Sequence, residues 1–302
     1  MSKEDHFHMS EEYIENSASQ QKIGLITIAK LIEELKSSGI DTQKMKVLDI
    51  ACGPGNMTID LQQALRSNFP ESHIEVAGLD YTAENVEKLI KASRCEIQGI
   101  VGSFFDTHVE PESITIIFSN EGLHWQPPYN MDEIIYSHLP NEQRDKYSQQ
   151  ALEHFETAIA NIFEALDQDG LAVLQFGHEG QLQKQWDLIR DILNEDEFTA
   201  MKPHLNMALF YPKVAEIEQT LKNVGFRDFE VSAFNEDLAE ESVDSIVGGF
   251  RTYTEPALQK YFSQDLLDSF YSKMKEKLEQ MDLAEYRKDQ WCRTIVKARK
   301  FG

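Results

Sequence analysis

A helical period appears early in the chain. Ile23, Leu25, Ile26, Ile28, Ala29, Leu31, Ile32 and Leu35 recur at intervals of three and four, which predicts a helix over Tyr13–Ser38 with one apolar face and Gly39 closing it. From Lys46 onward, short apolar runs alternate with amphipathic ones. They predict a strand at Lys46–Ala51, a helix at Asn56–Ser67, a strand at His73–Asp80, and a helix at Ala83–Ala92 with Thr82 as N-cap. Strands at Glu96–Gly102 and Ser113–Asn120 follow, the second entered through the breaker Glu110-Pro111-Glu112-Ser113. A long helix over Lys146–Leu166 turns at Asp169-Gly170 into a strand at Leu171–Phe176. Strands and helices alternating over residues 46–176 predict an α/β chain with a parallel, doubly wound sheet.

After Gly177 the pattern changes. Residues 180–208 read as helical, and helix Pro212–Val224 leads through Gly225 to a strand at Phe229–Phe234. Residues 238–285 are again helical, with a break at Pro256 and an aromatic face of Phe250, Tyr253, Tyr261, Phe262, Phe270 and Tyr271. Cys292–Ala298 reads as a final strand. The expected organisation is one core from residues 1–178, 209–235 and 290–300, and a helical cap from residues 179–208 and 236–289 over a substrate pocket.

Composition narrows the function classes. The chain has 302 residues, 41% of them hydrophobic, and a formal net charge of −23. Duplex nucleic acid and anionic membrane surfaces are bound by clusters of Lys and Arg, which the sequence lacks. Cys52, Cys95 and Cys292 are odd in number and widely spaced, giving neither a disulfide framework nor a zinc pattern, so no metal is expected. The polar start Met1–His6 and the lack of an apolar run of about 18 residues give the expectation of a cytoplasmic protein.

Candidate chemistry gathers at predicted strand ends. Asp49-Ile50-Ala51-Cys52-Gly53-Pro54-Gly55-Asn56 carries a buried strand into a glycine turn and a helix start, and the next strand ends in a lone acid, Asp80. Backbone at such a turn approaches a nucleoside-bearing cofactor, and an acid one βα unit later accepts a ribose diol. No G-x-G-x-x-G is present, so the pyrophosphate cradle is missing. The D-x-A-C-G-P-G form is similar to motif I of S-adenosylmethionine (SAM)-dependent methyltransferases. Asp49 orients the loop and faces the SAM ammonium, or is a strand-end cap. Gly53 and Gly55 allow close backbone approach. Asp80 holds the ribose, or is an acid favoured by the following helix dipole. Ser103 and Phe104 meet the adenine, or form a buried turn. Trp125 offers an N–H donor to an acceptor carboxylate, or is a core residue. His124 is a base or a wall.

Taken together, these segments resemble the SABATH family of methyltransferases acting on small-molecule carboxylates or ring nitrogens. Its Y-x-x-N-S-x-x-Q signature stands as Tyr13, Asn16, Ser17 and Gln20. Its D-x-G-C loop has Ala51 in place of glycine. Its G-S-F-Y segment stands as Gly102–Phe105, its S-x-x-L-x-W segment lies within Ser119–Trp125, and R-x-x-x-E-P-x-L stands as Arg251–Leu258. The resemblance implies a Rossmann-like class I methyltransferase fold with a helical cap, SAM as cofactor with S-adenosylhomocysteine as its product, a small-molecule acceptor, a homodimer, and a member of bacterial type. It implies a cofactor site of Tyr13, Ser17, Asp49, Cys52, Gly53, Gly55, Asn56, Asp80, Tyr81, Ser103, Phe104 and Asn120. Gln20, Trp125 and His124 form the catalytic set. Gln20 and Trp125 also hold the acceptor carboxylate, and Trp186, Tyr211, Phe250, Tyr253 and Trp291 line its pocket. Glu121 stands where many plant members carry Tyr, and a carboxylate there repels an anionic acceptor. The expected activity is methyl-ester formation on a small carboxylate. The alternatives are N-methylation of a small heterocycle and a non-catalytic SAM-binding protein.

Overall fold

A computed structural model describes residues 18–105, 109–125, 141–202, 204, 209–237 and 242–301. Helix α1 (Ala18–Ser37) leads into β1 (Lys44–Ile50), α2 (Asn56–Asn68), β2 (His73–Asp80), α3 (Ala83–Ala92), β3 (Gln98–Val101) and β4 (Ile114–Asn120). Then come α4 (Asn141–Ala165), β5 (Leu166–Gly177), α5 (Gln183–Leu193), a 3-10 turn (Thr199–Met201), α6 (Val214–Val224) and β6 (Asp228–Glu236). Helices α7 (Val243–Leu258), α8 (Gln264–Glu279) and α9 (Leu283–Arg287) precede β7 (Trp291–Arg299). The strands make one seven-stranded sheet in the order β3-β2-β1-β4-β5-β7-β6. The expected doubly wound α/β sheet is there.

Two cores cover the two faces of the sheet. Alternate residues of each strand point to opposite sides. Val47, Ile116, Phe118, Val173 and Ile295 pack with Ile23, Leu31 and Leu35 of α1 and Leu61 and Leu65 of α2. On the other face Leu48, Ile50, Ile117, Leu174 and Phe176 pack with Phe155 and Ile159 of α4 and Ile217 and Leu221 of α6. A third core joins α5, α7, α8 and α9 through Leu188, Ile192, Phe250, Leu267, Phe270, Met274 and Tyr286.

The structure refines the expected elements beyond shifts of a few residues at their ends. Of the first helix, 13–17 lie outside the described residues, and Leu25 and Ile26 are exposed, because the buried stripe runs through Ile23, Thr27, Leu31 and Leu35. Strand β5 starts directly at Leu166, which pairs with Ile114, so Asp169-Gly170 is an irregularity within the strand rather than its entry. Pro256 lies inside α7 and does not break it: a proline near a helix C-terminus removes a single late hydrogen bond, and the break falls after Leu258, before the Ser263 N-cap of α8. The last strand runs antiparallel between β5 and β6. The chain leaves β6 at the end where the parallel strands finish, so β7 re-enters from there and runs the other way.

Candidate active site

The tips of β1 and β2 are tied together by acids and backbone. Asp49 is buried, and its Oδ2 accepts from the Thr58 hydroxyl of α2 at 2.6 Å. The turn that follows is left-handed at Ala51 (φ 57°), Gly53 (φ 53°) and Gly55 (φ 94°). Its Cys52 N–H donates to Leu79 O at 3.0 Å. Asp80, also buried, accepts from Gly53 N at 3.0 Å on one oxygen, and from Thr82 N at 2.9 Å and Asn85 Nδ2 at 3.2 Å on the other. So Asp80 fastens the glycine turn to β2 as well as ending the strand. Gly55 serves packing: a Cβ there would lie 2.3 Å from Leu89 Cδ1 of α3. The Cys52 thiol is packed 2.9 Å from where a Gly78 Cβ would stand, and burial with the two neighbouring acids pushes its pKa up. Asn56 is exposed at the start of α2.

Electrostatics at this end are one-sided. Burial pushes the Asp49 carboxyl up to about 7, with the Asp80 charge adding to the shift and Thr58 opposing it. No described Lys or Arg pairs with either acid. Two buried carboxylates without a cation fit a ligand that brings positive charge and hydroxyl donors, and oppose a phosphate. The Tyr81 ring, next in the chain after Asp80, is exposed. Ser103 Oγ accepts from Phe105 N at 3.3 Å in the turn after β3. The Phe104 ring is buried in the core against Phe105, and Asn161 Nδ2 holds the Phe104 carbonyl at 2.9 Å. The turn is therefore rigidly set, with the Phe104 ring used for packing.

At the tip of β4 the polypeptide turns sharply at Glu121 (φ 61°), whose N–H donates to the Gln175 carbonyl at 2.9 Å and to Gln175 Oε1 at 3.2 Å. Gly122 lets this turn close on the glycine loop, since a Cβ there would lie 2.5 Å from Ala51 Cβ. The Glu121 carboxylate is paired with the buried guanidinium of Arg293 from β7. Burial alone would raise the Glu121 pKa, but the Arg293 charge, His124 and the Gln175 and Arg293 hydrogen bonds together hold the carboxyl below the usual range. This corrects the expectation that Glu121 stands as a bare repelling charge. His124 Nδ1 accepts from Gly177 N at 3.5 Å, and the ring lies 5.5 Å from Tyr211 and 5.9 Å from Trp125 between centroids. Burial lowers the His124 pKa to about 4, so the ring is neutral and a poor base at pH 7.

Helix α1 closes over these tips. Gly24 makes the approach: its Cβ would lie 2.6 Å from Met57 Cε and 3.2 Å from Asn120 Nδ2. Lys22 reaches Glu236 at the end of β6 at 3.9 Å, next to the register position of Trp291. The first turn of α1 carries Gln20, whose side chain lies outside the described residues, as do Tyr13, Ser17 and the side chain of Tyr253. Trp291 stacks on Arg293, with 4.1 Å from ring centroid to Cζ. Trp186 and Phe250 pack edge to face at 6.1 Å in the core of α5, α7 and α8, with Phe250 buried there. The structure thus brings His124, Trp125, Tyr211 and Trp291 to the strand tips. Sequence reasoning missed Gly24, Gln175 and Arg293. The available signal for the last was a lone Arg at the head of an apolar strand.

Residues 41–201 match the sequence profile described as a methyltransferase domain. The chain belongs to the methyltransferase-domain family. It is accordingly an enzyme, and the expectation of SAM as methyl donor holds. This methyltransferase is 22% identical to the salicylate/benzoate carboxyl methyltransferase of Arabidopsis thaliana, over 76% of its own length and 68% of that protein. It is 21% identical to caffeine synthase 1 of Camellia taliensis, over 86% of each. These are weak homologies of SABATH type, and nothing in them supports a bacterial-type member. Among solved structures it is similar in fold to a loganic acid methyltransferase with SAH, at a TM-score of 0.73 and 16% identity, over 98% of both chains.

Proposed function

We propose that this methyltransferase forms methyl esters on the carboxylate of a small molecule. One observation carries the reading: neither titratable group at the β4 tip is available as a base. His124 is buried and neutral, and Glu121 is engaged by Arg293. A heterocycle N–H gives up a proton on methylation, whereas a carboxylate is already ionised at pH 7 and needs none removed. The carboxyl methyltransferase among the relatives supports this reading. The likeness to caffeine synthase 1 keeps heterocycle N-methylation as the second reading.

When bound, SAM supplies an electrophilic methyl on a sulfonium. Asp49 faces its ammonium, Asp80 its ribose, and Ser103 its adenine edge, with Asn120, Tyr13 and Ser17 completing the site. Gln20 and Trp125 hold the acceptor carboxylate through neutral donors, which orient the nucleophile without cancelling its charge. Orientation of this kind contributes on the order of 7–11 kcal/mol in favourable systems. His124 and Tyr211 wall the reacting centre and exclude water.

The experiment is methyl transfer from radiolabelled SAM to a panel of aromatic acids and xanthines, followed by mild base. Label released by base marks an ester, and base-stable label on a xanthine would overturn the proposal in favour of N-methylation. Gln20→Ala and Trp125→Phe are expected to lower acceptor turnover at nearly unchanged SAM affinity, and Asp80→Asn to weaken SAM first.

A further inference from the structure

Burial at the tips of β4, β5 and β7 leaves hydrogen-bond donors in surplus. Arg293 is 1% exposed and Gln175 is fully buried. Arg293 gives a terminal nitrogen to Glu121, and its Nε–H has no partner among the described residues. Gln175 spends its Oε1 on the Glu121 N–H, and its Nε2 has no acceptor among them. The Trp291 indole lies against the Arg293 guanidinium, and its buried Nε1–H has no acceptor among them either. Buried unpaired donors destabilise a fold, so three in one place require an explanation.

Their placement supplies one. Gln175 is the ladder partner of Ile295, and Arg293 and Trp291 follow Ile295 toward the strand start by the period of two. All three therefore rise from one face of the sheet, the face that α1 covers. They stand at the strand tips beside Glu121 and one strand from the His124–Trp125 turn. Charge there is already balanced, because Glu121 cancels Arg293. A group completing this cluster must bring lone pairs without charge. A second carboxylate would meet Glu121 across a single shared guanidinium, whereas a carbonyl oxygen meets only the donors.

We infer that Arg293, Trp291 and Gln175 form an acceptor subsite for an uncharged hydrogen-bond acceptor, a carbonyl oxygen on the molecule being methylated, and that Glu121 makes the subsite select against a second carboxylate. This rests on the small-acid reading above and adds a specificity to it.

The test follows binding by calorimetry to the full chain loaded with S-adenosylhomocysteine. The probes are benzoate, the acetylbenzoate isomers, the matching benzenedicarboxylates, and acetophenone as a carbonyl without an acid. At least one acetylbenzoate is expected to bind about tenfold tighter than benzoate and than its matching dicarboxylate. Glu121→Gln reverses the preference toward the dicarboxylate. Trp291→Phe removes the gain over benzoate and weakens acetophenone, while S-adenosylhomocysteine affinity stays within about twofold. Thermal unfolding of each variant shows that it is folded. A wild-type protein with no gain for any acetylbenzoate, or a gain indifferent to both substitutions, overturns the subsite. If no acid binds, the carboxylate reading fails, and acetophenone still decides the subsite: binding lost in Trp291→Phe upholds it, and binding unchanged or absent in the wild type overturns it.

Discussion

Glu121 and Arg293 stand 172 residues apart in the chain and close on each other as a buried ion pair between the tips of β4 and β7. The pair joins the first half of the sheet to its last strand at the place where chemistry is expected. Removing one partner strands the other charge in the interior. Arg293→Met should cost about 3–5 kcal/mol of unfolding free energy. Glu121→Gln should cost less, because its amide oxygen still accepts from Arg293. The double variant should recover a part, leaving a coupling of about 1–3 kcal/mol. Denaturant unfolding of the two singles and the double measures this, and strict additivity would show that the pair is not coupled.

Ala51 occupies a left-handed position, φ 57°, in a loop where the related motif carries glycine. A Cβ in that region costs about 1–2 kcal/mol, and the greater freedom of glycine in the unfolded chain returns about 0.5–1 kcal/mol. Ala51→Gly is therefore expected to stabilise the protein modestly, raising Tm by about 1–3 °C. A lowered Tm would show that the Ala51 methyl, which packs against Gly122, contributes more than its strain costs.

Local pattern carried most of the fold. His73–Asp80 and Ala83–Ala92 were legible to the residue because period and punctuation agree there. What local pattern does not contain is the antiparallel direction of β7 and its place between β5 and β6, which depend on where the α7–α9 segment releases the chain. Asp49 and Asp80 were legible as acids at strand ends because their place follows from the strand pattern alone. The site was not legible where the role depends on a distant partner. Gly55 reads as an approach to ligand, and its close packing on Leu89 of α3 shows only in the fold. Glu121 reads as a bare charge until Arg293 is placed beside it.

His124 titrates on the acid side. Burial lowers its pKa to about 4, below the ordinary value of about 6.5. The neutral ring is the form the fold accepts, so its contribution is intact above about pH 6.5 and is lost as pH falls toward 4. The loss amounts to at most about 3 kcal/mol. Urea unfolding at pH 7.5 and 4.5 should show a smaller difference for His124→Gln than for the wild type. An equal difference in the two proteins would place the acid sensitivity elsewhere.

Asp49 titrates in the opposite sense, and the donor ligand should reverse it. Burial raises its pKa to about 7. In the unliganded protein the protonated form is favoured, so stability is greatest below the ordinary Asp range and declines as pH rises through 7. Asp49→Asn, which cannot ionise, should stabilise the unliganded protein at pH 8, by about 1–4 kcal/mol. An ammonium facing Asp49 favours the carboxylate and draws its pKa down on binding. Binding of S-adenosylhomocysteine at pH 6 should then release up to about one proton per site, fading toward pH 8. Calorimetry in two buffers of different ionisation enthalpy reads this proton directly. In Asp49→Asn the release should vanish and the remaining affinity should no longer fall between pH 7 and 6. A release that persists in Asp49→Asn would assign the proton to another group and remove Asp49 from the ammonium site.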